Sequence, residues 1–173
     1  MTHQKTQPHH RLRLQPKRRV YFLTICTHNR KKFLSEIVGD GLPVLKTAGK
    51  IAEQFIGKIP EKYPNVTIDK YVIMPDHIHL LIRIDAVGEA SRLPEKAGIG
   101  TGNPSPTVGN ILGWYKYQTT KHINAVQNTS GEKVFQRSYY DHVIRNQQDY
   151  NEIWEYIENN PLKYALKQAD RKE

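Results

Sequence analysis

Cysteine is nearly absent from this sequence. The single one, Cys26, excludes an internal disulfide framework and any zinc site built from cysteines, and it points to a reducing compartment. Set in an apolar run, it reads as a small core residue. Long hydrophobic runs are missing too. No stretch approaches the roughly 20 apolar residues of a membrane span, and the first residues hold no apolar segment of a signal peptide, so a cytoplasmic protein without a membrane partner is expected. Acid is scarce: 17 Asp and Glu face 26 Lys and Arg, leaving a formal charge of +9 and a pI near 9.6. A field of that sign gathers polyanions, nucleic acid first among them, although a merely soluble basic surface has the same count.

In residues 1–19 acid disappears altogether. The stretch holds six Lys or Arg, three His and two Pro with almost no large apolar side chain. Such a segment cannot bury enough surface to offset its ordering entropy, and it reads as a mobile basic arm that binds phosphates without reading sequence. Lys17, Arg18 and Arg19 at its end are candidate phosphate contacts. The whole chain has 173 residues, and beyond the arm it suits one domain over about 20–165 with a short tail at 166–173.

Tyr71 to Ile84 organises that domain. An apolar run meets a Pro75-Asp76 turn, and a second run then opens on His77-Ile78-His79. Alternate side chains of a strand share a face, so the two imidazoles would face one point, a donor pair suited to a divalent metal. Eight histidines in a chain of this length give roughly 0.4 chance His-x-His pairs, so on pattern alone a half-buried structural pair competes with a metal site.

Around it, Val20 to Thr27 reads as a central strand, and Leu45, Ala48, Ile51, Ala52, Phe55, Ile56 and Ile59 recur at helical spacing up to Pro60. Residues 66–74 and 77–84 form a hairpin, and 85–107 shift to Gly, Pro, Ser and charge, a long loop. Val108 to about Val126 is helical. A short strand falls within Val134 to Arg145, and a last helix begins near Asn146 or Asp149 and must end or bend at Asn160-Pro161. Strand, helix, strand, strand, helix, strand is the order of a ferredoxin-like α+β domain, an antiparallel sheet with helices packed on one face and its first and third strands paired centrally. Tyr156 and Asn160, four apart on the last helix, share a helix face. If that helix crosses the histidine face, Asn160 can add an oxygen ligand and Tyr156 a hydroxyl, although an aromatic on a helix is more often partly buried packing.

Three stretches in order, Met74-Pro75-Asp76-His77-Ile78-His79, Phe135 to Arg145, and Tyr156-Ile157-Glu158-Asn159-Asn160-Pro161, closely resemble the single-tyrosine HUH (His-hydrophobic-His) transposases, and within them the REP-associated tyrosine transposases. The resemblance covers most of residues 20–165. It implies a metal-dependent nuclease and strand transferase acting on single-stranded DNA near hairpins of palindromic repeats. By its pattern His77 and His79 bind Mg²⁺ or Mn²⁺, Asn160 completes the metal site, and Tyr156 is the nucleophile that forms a 5′-phosphotyrosine link. Asp76 and His142 match the motif stretches as residues that orient a ligating imidazole or touch DNA, with a structural hydrogen bond an equal reading for His142, and Arg137 and Arg145 are further candidate phosphate contacts. Family members include both monomers and dimers that exchange the tyrosine helix. A non-catalytic nucleic-acid-binding module and a domesticated repeat-processing nuclease are the competing expectations.

Overall fold

In Arg18–Cys26 (β1) and His77–Asp85 (β5) apolar side chains fall on both faces, so both strands must be covered on two sides. They pair with each other in the centre of an antiparallel sheet, with Cys26 opposite His77, Thr24 opposite His79 and Phe22 opposite Leu81. Val66–Ile73 (β4) flanks β5, and Tyr140–Ile144 (β6) flanks β1. The order β4-β5-β1-β6 is the expected ferredoxin-like arrangement, with its first and third main strands adjacent. The computed structural model describes residues 18–39, 41–86 and 106–170. Lys17 and nearly all of the 85–107 loop lie outside them.

Two helices cover one face. Thr47–Lys62 (α1) contributes Ala52, Phe55, Ile56 and Ile59, and Val108–Gln127 (α2) contributes Ile111, Leu112, Tyr115 and Ile123; both pack on Leu23, Ile25, Ile78, Leu80 and Ile82. Gln147–Ala169 (α3) lies across the opposite face. There Val20, Phe22, Val72, Met74, Leu81 and Ile144 meet Tyr150 and Ile157, with Ile153 and Trp154 beside them. The histidines open β5 on this second face, under α3. No helix among the described residues is long and apolar enough to cross a membrane.

Three boundaries differ from the sequence expectations. Arg18 and Arg19 stand in β1 rather than in a free arm, and Arg18 is held through its guanidinium by Asp85, its register partner. Ser35–Val38 (β2) and Leu42–Leu45 (β3) form a two-stranded hairpin in the stretch around Gly39, Gly41 and Pro43, which by sequence reads as a loop because four-residue strands with Val38, Leu42 and Val44 exposed show no usable period. Finally, α3 does not end at Pro161 but continues through it to Ala169. Pro161 is buried, and Gly41, at φ 95°, brings the hairpin turn so close that a β-carbon there would lie 2.5 Å from Leu162 Cα. Packing of the hairpin on this turn offsets the hydrogen bond that proline cannot donate.

The start of α3 is fixed by Asn146, whose Oδ1 accepts from the Asp149 amide at 2.8 Å. Asn146→Ala is therefore expected to cost about 1 kcal/mol of unfolding free energy, read by urea titration. A change below a few tenths would show that the helix start is fixed by packing alone.

Candidate active site

Strand register and the turn before β5 set the polar contacts of the histidine pair. Thr24 Oγ1 lies 2.9 Å from His79 Nδ1 because β1 and β5 place these residues opposite each other. Asp76, the last residue of the turn before β5, puts Oδ1 2.7 Å from His77 Nδ1. A carboxylate only accepts, so His77 Nδ1 carries the proton and Nε2 keeps a lone pair. The rings stand 4.6 Å apart between centroids, at 70°. His79 Nε2 is buried with no hydrogen-bond partner. An orphaned nitrogen of this kind costs about 1–3 kcal/mol and calls for an explanation, and a ligand position supplies one.

Burial holds both imidazoles neutral. It lowers the His77 pKa against the opposing pull of Asp76, and it pushes His79 from the usual 6.5 down to about 3, with the charges of His77 and Arg30 adding to the effect. The sign of the linkage follows. Between about pH 6.5 and 3 the unfolded chain takes up a proton at His79 that the folded chain refuses, so stability falls as pH falls through that window. In metal-free protein this residue alone is expected to contribute a slope of up to about 1.4 kcal/mol per pH unit below pH 6, and His79→Gln should flatten it. Urea midpoints at pH 7, 6 and 5 give the measurement, and equal slopes in the two proteins would contradict it.

The last helix brings Tyr156 to the same place. Its ring centroid is 5.3 Å from that of His79 and 5.9 Å, edge-on, from that of Phe22. Tyr156 is 39% exposed, whereas His79 is 4% exposed, so the phenol borders both the imidazoles and solvent. Asn160 is half-buried and one turn further along α3, about 6 Å along the axis. Lys163 Nζ lies 6.0 Å from the Tyr156 ring centroid. Two mid-chain histidines and a phenol from near the C-terminus thus meet within one chain.

No protein-family model matches the sequence. An uncharacterized protein of Haemophilus influenzae (strain ATCC 51907 / DSM 11121 / KW20 / Rd) is 36% identical over 152 residues, covering 82% of this chain and 79% of that protein. The chain belongs to the same family. A solved structure of a REP-associated tyrosine transposase bound to a REP hairpin overlays with a TM-score of 0.52 at 21% identity, covering 89% of this chain and 73% of that one. The chain has the REP-associated tyrosine transposase fold.

Within this fold the other tyrosines of the core and of the histidine face differ in burial. Tyr115 is fully buried and Tyr150 nearly so, the latter donating to Asp69 Oδ2 at 3.0 Å; burial raises both phenol pKa values, and neither is open to solvent. Tyr139 is turned toward Lys116, whose Nζ is 5.5 Å from its ring. Tyr140 remains on the histidine face, 6.4 Å from Phe22 and 59% exposed.

His142 is not brought to the imidazole pair. Its Nε2 lies 3.0 and 3.1 Å from the two oxygens of Asp149, the first-turn residue whose amide is capped by Asn146, so its bond serves the helix start. Arg19, Arg137 and Arg145 are exposed. Thr24 and Arg30 escape a reading of the sequence. Thr24 becomes visible only once β1 and β5 are paired, and Arg30 reaches Asp76 from a turn 46 residues earlier, Nε to Oδ2 at 3.1 Å.

The donor set fits a divalent metal. Two neutral imidazoles with free Nε2 atoms form its core, and among the described residues no third His, Cys, Asp or Glu joins them in ligand geometry. Any further protein ligand would be an amide oxygen, and water or substrate oxygens would fill the rest.

Proposed function

We propose that the chain is a single-stranded DNA endonuclease and strand transferase that works through Tyr156. The proximity of the Tyr156 ring to His79 carries this reading, because it sets an exposed phenol beside an imidazole whose buried Nε2 has no hydrogen-bond partner among the described residues. In the proposed step Tyr156 Oη attacks a backbone phosphorus, the P–O3′ bond breaks, the phenol loses its proton and the 3′ oxygen gains one. A 5′-phosphotyrosine and a free 3′-hydroxyl result, and attack by another 3′-hydroxyl reverses the reaction on a new end. The covalent link keeps the phosphodiester energy, so no nucleotide is consumed.

His77, His79 and the Asn160 amide oxygen would hold Mg²⁺ or Mn²⁺, which when bound supplies Lewis-acid stabilisation of the phosphate charge. Asp76 and Thr24 fix the two rings so that Nε2 of each is presented. Phe22 buttresses both His79 and Tyr156, excluding water from their far sides. Arg19, Arg137 and Arg145, with Lys17, are proposed as phosphate contacts, whereas Arg18 already answers Asp85. DNA with an unpaired stretch beside a hairpin is the proposed substrate, by likeness to the hairpin-bound transposase of the same fold.

A purely binding role leaves the buried Nε2 of His79 and the placement of Tyr156 without a purpose. The test is a labelled hairpin oligonucleotide with single-stranded flanks, incubated with the protein and Mn²⁺. A label that migrates with the denatured protein is the expected result, and its absence across hairpin and unstructured DNAs would remove the reading.

A further inference from the structure

We propose that Arg30 is a positioning residue for the histidine pair: acting through Asp76, it holds His77 in the ring orientation and tautomer that leave Nε2 free for a divalent cation. This rests on the reading of His77 and His79 as metal ligands.

The geometry begins with a carboxylate that has no freedom left. Asp76 is 7% exposed. Its Oδ1 is 2.7 Å from His77 Nδ1 and its Oδ2 is 3.1 Å from Arg30 Nε. Rotation about the Cβ–Cγ bond would break one bond or both. The same turn grips the backbone of Asp76, since the Thr27 amide donates to the Asp76 carbonyl at 3.0 Å and the Thr27 hydroxyl sits between that oxygen, at 3.0 Å, and the Lys31 carbonyl, at 2.8 Å. Arg30 Nη1 donates to Cys26 Sγ at 2.8 Å, and Cys26 is the register partner of His77. The guanidinium is therefore anchored to the strand next to the ligand it orients.

The backbone of that turn is strained in a way that burial does not explain. Asn29 and Arg30 both have φ of 54°, in the left-handed region, and no residue of the short 3₁₀ turn His28–Arg30 is buried. Asparagine visits that region readily, but at Arg30 the β-carbon crowds the backbone and the conformation is disfavoured. What the conformation accomplishes is the return of Arg30 onto Asp76.

An ordinary surface ion pair is the competing account. The Arg30 side chain is 51% exposed, and exposed pairs contribute little to stability, so fold maintenance is a weak reason for a strained turn. Orientation is a stronger one, because partners that fix a ligating imidazole are worth about 10- to 100-fold in metal affinity.

The experiment uses the full chain without DNA: Mn²⁺ titration by calorimetry, and ¹⁵N NMR of the histidine rings in metal-free protein. Glutamine at position 30 keeps a straight side chain and the same backbone conformation. Arg30→Gln should weaken Mn²⁺ binding roughly tenfold or more and shift the His77 ring nitrogens toward mixed tautomers, with partial rescue by Arg30→Lys. In an Asp76→Asn background Arg30→Gln should add nothing. Unchanged Mn²⁺ affinity and an unchanged His77 spectrum in Arg30→Gln would overturn the role of Arg30, as would an equal loss in the Asp76→Asn background. Wild-type protein that binds no Mn²⁺ would instead overturn the assignment of the histidines themselves.

Discussion

Replacing Tyr156 by phenylalanine is expected to abolish the covalent protein–DNA adduct while leaving the protein folded and able to bind the same oligonucleotide. The substitution removes one oxygen from a side chain that is 39% exposed. Its ring contacts with His79 and Phe22 are made by carbon, so the unfolding free energy should change by less than about 0.5 kcal/mol. Loss of the nucleophile leaves no route to a protein-linked phosphate, and the adduct should fall by at least about 10³-fold. Tyr140→Phe is the decisive control, because Tyr140 stands on the same face, 6.4 Å from Phe22, and is more exposed. An adduct that survives in Tyr156→Phe and vanishes in Tyr140→Phe would transfer the chemistry to β6 and leave α3 as a cover.

The second large effect separates stability from function at His79. Its Nε2 is buried without a partner, its ring contacts Phe22 and Tyr156, and Val72 stands opposite it on β4. A hydrophobic side chain of similar volume would suit those neighbours better in the absence of metal. His79→Leu should leave metal-free stability unchanged or raise it by about 1 kcal/mol, since half-buried Thr24 can turn to water and an unsatisfied polar atom is removed. Mn²⁺ affinity should fall by about 100-fold or more, and DNA cleavage with it, while salt-sensitive DNA binding persists. A variant that unfolds at neutral pH, or one that keeps its Mn²⁺ affinity, would mark His79 as a structural residue. Thermal or urea unfolding with chelator present, followed by Mn²⁺ calorimetry, distinguishes these results.

Both expectations depend on α3 crossing the histidine face. That placement is carried by the other contacts of the helix. Tyr150 donates to Asp69 beside the β-bulge of β4, Arg83 pairs with the same carboxylate at 2.5 Å, and Ile157 is buried against the sheet. Lys70 adds a salt bridge to Glu158 and lies 4.3 Å from the Trp154 ring centroid. Helical periodicity then leaves Tyr156 at the edge of the buried stripe, next to Ile157 and half in solvent.

Local order was legible from residues alone. Apolar periods at two and 3.6 residues placed the four main strands and three helices, apart from the C-terminal end of α3, to within a few positions, and the strand, helix, strand, strand, helix, strand order restricted the sheet to few topologies. The pairing of His77 and His79 on one face followed from strand geometry, and Tyr156 and Asn160 on one side of a helix from helix geometry. Where the sequence misled, a local rule lost to tertiary packing. Pro161 does not stop α3 because the hairpin turn at Gly41 packs against it, and that hairpin was hidden because its strands are short and half exposed.

Everything that joins distant parts of the chain had to come from the tertiary structure. Only the pairing of β1 with β5 sets Thr24 against His79. Only the strained turn at Asn29 and Arg30 carries a guanidinium back to Asp76, and His142, which shares a motif stretch with the candidate site, is drawn instead to Asp149. Periodicity is a property of neighbours a few residues apart and survives in the sequence. Which of two faces a helix covers, which hydroxyl meets His79 and which guanidinium meets Asp76 depend on contacts between residues 46 or more positions apart, and those are decided when the core closes.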